Sequence, residues 1–151
     1  MADAAVTLRS LPRRFDEAVG GPVGDDSWDR IVRTPGPSGR SALGSLAVAD
    51  AELVALGTAI ASLPLAKSPV INLGTVRRTT EPTVPLADLL SQLKENAKRA
   101  ATAVEGRGHD DFARLVTLDG KPVSAENYVR RTVAACLSHL HDAQEAIDSK
   151  P

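Results

Sequence analysis

The sequence predicts an all-α fold, a four-helix bundle. Three observations carry that expectation. Apolar residues recur every three or four positions in four separate segments. Aromatic residues are only 3 % of the chain, so the core must be built from Leu, Val and Ala, which suits close-packed helices better than a β-sandwich. The segments are separated by loops rich in Pro, Gly, Ser and Thr. With 151 residues, the chain is expected to form one domain spanning residues 1–151.

The first helix is expected from about Ala4 to Val19. Val6, Leu8, Leu11, Phe15 and Val19 fall near helical spacing, Pro12 lies inside the run, and Gly20-Gly21-Pro22 ends it. Trp28, Ile31 and Val32 then read as part of a loop, with Trp28 packing over one end of the bundle or forming a dimer patch. The second helix runs from about Ser41 to Leu63. Leu43, Leu46, Asp50, Leu53, Leu56 and Ile60 recur at helical spacing, and Asp50 is the one polar residue on that line. It reads as the edge of the buried face, where a carboxylate still reaches water.

Residues 64–83, punctuated by Pro64, Pro69 and Pro82, form a connection too long for a tight hairpin and suited to a crossover. Within it, Val70-Ile71-Asn72-Leu73 has a strand-like character. The third helix is expected from about Pro85 to Val104, with Leu86, Leu89, Leu90, Leu93, Ala97, Ala100 and Val104 facing inward. Gly106 and Gly108 stop it. Asp119-Gly120 is a turn signal for a small hairpin. Ser124 caps the fourth helix and Glu126 suits its N-terminal dipole.

That last helix, to about Ile147, carries the chemistry. With Leu140 at the centre of its buried face, Val129, Val133, Cys136, Ala143 and Ile147 lie within about 60°. His141 then sits on one flank beside Leu137 and Gln144, and His139 on the other. Both read as partly exposed surface or interface residues. Cys136, on the apolar stripe, reads as a buried inert thiol.

A formal net charge of −1 gives no electrostatic case for nucleic acid or an anionic membrane. The single cysteine excludes an internal disulfide framework and points to a reducing, cytoplasmic setting. No stretch reads as the roughly 20 apolar residues of a membrane span. Arg9, Arg13 and Arg14 interrupt any secretion-signal layout at the N-terminus.

The order of parts resembles a known family. Leu8-x-x-Leu11-Pro12-Arg13-Arg14-Phe15 in a first helix precedes a Pro/Gly loop and then Ser41-Ala42-Leu43-Gly44-Ser45-Leu46-Ala47. A long crossover, a Leu/Ala helix and a final His-containing helix followed by Gln144 complete the pattern. Together they resemble the DinB-like superfamily, related to bacillithiol- and mycothiol-dependent transferases and to maleylpyruvate isomerase. The resemblance implies an up-down-down-up bundle with its long crossover between the second and third helices. It also implies a divalent ion held by three residues, commonly His, that activates a thiol cofactor or a water. One ligand lies early in the second helix, and two lie one turn apart in the fourth, often followed by Gln.

Carried over position by position, that site is incomplete. Ser45, before Leu46, stands where the second-helix His belongs. If Gln144 matches the family's Gln, His141 is the later ligand of the fourth helix and Leu137 replaces the earlier one. In the other register His139 is the later ligand and Ala135 the earlier position. One His of three remains in either case, a poor donor set for zinc or nickel. His109, beside Asp110 in a loop, is a further metal candidate that no spacing requires.

Three readings follow, in order of preference. The first is a DinB-like bundle without its catalytic metal or any cofactor, serving as a binding or interaction module, with a second copy of the chain or a small molecule as partner. The second is a transferase or hydrolase dependent on zinc, nickel or a low-molecular-weight thiol, with a non-standard site around His141. The third is a small-ligand pocket built on Ser45, Asp50, His141 and Gln144 without catalysis. Nucleic acid and membrane are not expected partners.

Overall fold

The computed structural model describes residues 1–22, 24–63, 68–77 and 82–149. The chain runs α1 (Ala2–Val19), α2 (Asp26–Arg33), α3 (Ala42–Ser62), β1 (Val70–Ile71), α4 (Leu73–Arg77), α5 (Leu86–Glu105), α6 (His109–Phe112), β2 (Leu115–Leu118), β3 (Lys121–Ser124) and α7 (Ala125–Asp148). The four long helices are the four expected ones, with ends shifted by one or two residues. Their starts follow local chemistry. Ser41 accepts the Gly44 N–H at 2.9 Å and Ser124 accepts the Asn127 N–H at 3.0 Å, each satisfying an amide that the first turn leaves without a partner. Pro85 precedes α5, where its missing N–H is not needed. Pro12 is accommodated inside α1, whose Leu8, Leu11, Phe15 and Val19 are all fully buried and hold the helix to the core.

The topology is the expected up-down-down-up. α1 and α3 each pack against both α5 and α7, so α1 and α3 face each other across the diagonal. The N-terminal half of α1 meets the far end of α5 through Arg9 and Glu105, whereas Asp3 of α1 meets Arg130 near the start of α7. α1 is therefore antiparallel to α5 and parallel to α7. The chain crosses from α3 to α5 by way of β1 and α4; residues 64–67 and 78–81 of that crossover lie outside the described residues.

Three details correct the sequence reading. Residues 26–33 form α2, whose N-cap Asp25 accepts the amides of Ser27 and Trp28. A helix of two turns is too short to show a periodic signal. Trp28 is half-buried and donates its indole N–H to the Val19 carbonyl at 2.9 Å, a packing role at the end of α1. Second, the helices are joined by a small sheet of order β1-β2-β3. The strand-like stretch in the crossover narrows to Val70–Ile71, which pairs in parallel with Thr117 and Leu118. The Asp119-Gly120 turn closes the expected hairpin with φ of 49° and 81°, the left-handed pair that matches strand twist.

Third, α3 is long and apolar enough to cross a membrane, against the sequence expectation, although 72 % of that window is buried inside the fold. Its amphipathic line broadens into burial on nearly all sides. Every residue from Ala42 to Asp50 is buried, because α2 adds cover to the faces already taken by α5 and α7, and β1 with α4 packs against the helix as well. At Gly57 the helix comes close to α5, where an added Cβ would lie 3.6 Å from Ala100 Cα.

Candidate functional site

The buried face of α7 decides where its histidines point. Its buried residues are Ala125, Tyr128, Val129, Thr132, Cys136, Leu140, Ala143 and Ala146. Their directions centre about 60° from Leu140, on the His139 side. Val133, Leu137 and Ile147 are left only partly buried. The rotation carries His139 inward and His141 outward. The His139 side chain is 14 % exposed and that of His141 67 %. His139 therefore departs from its reading as a flank residue of the surface, whereas His141 is exposed and pairs with Glu145 one turn on, at 3.1 Å.

His139 reaches across to α3, where its Nε2 lies 3.2 Å from Oε1 of Glu52. Glu52 is fully buried. A carboxylate in a core needs a charged or hydrogen-bonding partner to offset lost hydration, and the imidazole supplies one. Around this pair lie further polar groups of the α3–α7 seam. The Cys136 thiol is buried, with Sγ 3.9 Å from the Ala49 carbonyl; burial, then the nearby Glu52 and Asp50 charges, push its pKa far up. Burial and then Glu52 likewise push the Tyr128 phenol up, and the neighbouring Thr132 hydroxyl pulls it partly back. Neither hydroxyl reaches full hydrogen-bond geometry with a described group. The seam joins Glu52 and His139 by a hydrogen bond; it offers no thiolate nucleophile, since burial keeps Cys136 a thiol.

Sequence reasoning missed Glu52, yet a signal existed. Asp50 and Glu52 are the only charged residues between Ser41 and Ser62. A helix that poor in charge has no solvent face to give them, so both acids had to meet the core or its edge.

The remaining candidates are dispersed. Ser45 is fully buried, its hydroxyl without a hydrogen-bond partner among the described residues. Asp50 turns to the α3–α5 seam, where it accepts a 2.8 Å hydrogen bond from Asn96 Nδ2, while staying near enough to Cys136 of α7 to act on its thiol. It is buried, with 9 % exposure, not open to water at an edge. Burial raises its carboxyl pKa and the Asn96 hydrogen bond lowers it in part. Gln144 lines a shallow surface cavity with Arg13, Arg14 and Leu140. Of the four residues read as a ligand pocket, Gln144 alone lines one of the described surface cavities. His109 begins α6 beside Met1 and Ser124, at the end of the bundle where α7 starts, roughly 20 Å along that helix from His139.

Among the described residues, the donors that a family-type ion would need do not come together in either register. Zinc asks for three or four nitrogen, sulfur or oxygen donors at about 2.0–2.3 Å. Among the described residues, no three His, Cys, Asp or Glu side chains converge in that way. In the His141 register, that histidine points to solvent and Leu137 fills the earlier place. In the His139 register, α3 does present an acid, Glu52, but Ala135 brings no donor and Cys136 remains a thiol.

No family model matches the sequence, and no curated protein matches it. The fold does match a solved structure, YfiT from Bacillus subtilis, described as a probable metal-dependent hydrolase with an unusual four-helix bundle topology. The two align with a TM-score of 0.75 at 18 % identity, over 95 % of this chain and 83 % of that one. The chain has the DinB-like four-helix-bundle fold. At that level of identity the likeness is one of architecture.

Proposed function

We propose that this chain is a DinB-like bundle that works as a binding module without the catalytic ion that the DinB-like resemblance implies. The observation that carries the reading is the fate of the three ligand positions. Ser45 and Leu137 occupy two of them, and the histidine that would complete the set, His141, lies on the outside against Glu145. His139, which does face α3, is engaged by a buried carboxylate instead. A cytoplasmic setting belongs to the same proposal, supported by the chain's single, buried cysteine, which makes no internal disulfide.

The test is thermal unfolding of the full chain titrated with zinc and, separately, with nickel. A ligand that binds only the native state raises stability by RT ln(1 + [L]/Kd), about 2.7 kcal/mol at a hundredfold excess over Kd. The proposal expects no rise in melting temperature with either metal at micromolar concentrations. A saturable rise of several degrees, abolished by His139→Ala or His141→Ala, would restore the metal-dependent reading that YfiT's description suggests for that protein.

A further inference from the structure

We propose that the groove between α1 and α5 binds a phosphate monoester that carries an apolar body. The groove lies on the seam opposite the Glu52–His139 pair. The inference is therefore independent of whether an ion binds at the family site.

The cavity measures about 610 Å³, within the roughly 300–1,000 Å³ of small-molecule sites. Pro12 and Leu90, both half-buried, give it an apolar floor. Arg9 and Arg13 from α1 and Lys94 and Lys98 from α5 stand around that floor. In a chain of net charge −1, this is a local concentration of cations. Arg9 is held in place by both oxygens of Glu105, at 2.7 and 3.1 Å. Arg13 leans on Glu17 at 3.1 Å.

The two lysines differ from the arginines. They sit one turn apart on α5, where like charges repel. Neither makes an ion pair or hydrogen bond with a described residue. The one acid on the rim among the described residues is Asp16. With Glu105 and Glu17 set against the arginines, two adjacent ammonium groups remain facing a single carboxylate. Two neighbouring point charges match a phosphate dianion better than a monocarboxylate. The Ser91 hydroxyl adds a donor. The floor beneath them is apolar, so inorganic phosphate alone would leave it uncovered; a phenyl or alkyl body would cover it.

Phenyl phosphate is the probe, titrated into the 15N-labelled full chain at low salt. The expected amide shifts cluster at residues 9–16 and 90–98, and phenyl phosphate binds tighter than inorganic phosphate. Lys94→Gln/Lys98→Gln should weaken binding about tenfold, the loss of roughly 1.4 kcal/mol, with an unchanged spectrum elsewhere. Asp16→Asn should tighten it. Shifts that are absent or scattered over the surface overturn the proposal, as does equal binding by the double variant. Equal affinity for inorganic phosphate overturns the apolar part. Co-sedimentation with phosphatidate vesicles, in the absence of phenyl phosphate shifts, would replace a small-molecule site by a membrane surface.

Discussion

His139 and His141 stand two residues apart on α7 and meet opposite surroundings. One is nearly enclosed and reaches a fully buried carboxylate; the other stands in solvent beside Glu145. A two-residue step turns a helix by about 200°, so the two rings cannot share an environment. Which of them faces inward depends on the centre of the buried face. That centre is set by Tyr128, Thr132 and Ala146 as much as by the leucine and valines. The comparison teaches that identical side chains have to be assigned by helical phase, and that an error of some 60° in that phase exchanges a core residue for a surface one.

The largest effect that can test the contrast is at His139. His139→Ala leaves Glu52 without its imidazole partner, and should cost about 3 kcal/mol in urea unfolding. Replacing both as Glu52→Met/His139→Leu should recover most of that loss, because a well-packed apolar pair replaces a buried polar one. A cost below about 0.5 kcal/mol for His139→Ala would place this side chain with ordinary surface residues.

Next in size is a contrast between two close backbone approaches. An added Cβ at Gly36 meets Ala146 Cα at 2.5 Å, whereas one at Gly57 meets Ala100 Cα at 3.6 Å. Gly36→Ala should therefore destabilise by about 1–3 kcal/mol. Gly57→Ala, in ordinary contact inside a helix, should stabilise by about 0.4–1 kcal/mol. Chemical denaturation of both variants reads the difference, and equal effects would mean that the α2–α3 loop does not pack on α7 as described.

Asp50 provides a smaller, pH-dependent effect. Its carboxyl pKa is raised in the fold by burial, so its protonated form favours folding. That contribution is fully present below the unfolded carboxylate pKa and is lost as pH rises through the folded value. Asp50→Asn should thus stabilise modestly at neutral pH, with the gain shrinking as the solution is acidified; melting curves across that range check the slope. The smallest effect is at the outer histidine. His141→Ala should change stability by no more than about 0.5 kcal/mol, since an exposed pair with Glu145 contributes little.

Much of the fold was legible. The four long helices, their Ser41 and Ser124 caps, the crossover and the Asp119-Gly120 hairpin each rest on a local signal that tertiary packing then kept. What was not legible came from contacts between distant segments. Nothing local marks Val70–Ile71 as the parallel partner of β2, and α2 is too short for periodicity to reveal it. The site fared worse for a related reason. In the sequence Ser45, Asp50, His141 and Gln144 suggest one pocket, whereas in the fold Asp50 bonds to Asn96 of α5 and His141 stands in solvent. Glu52 was hidden because an acid on an apolar helix is normally solvated, and only the lack of charges other than its own and that of Asp50 along α3 betrays its burial.

The central claim is that the positions which hold an ion in a DinB-like metal site hold none here. Metal content of the 151-residue chain, purified without chelator and measured by elemental analysis, tests it most directly. The account predicts far less than one equivalent of any transition metal. About one equivalent of zinc or nickel that survives dialysis, and is lost in His139→Ala or His141→Ala, would contradict it.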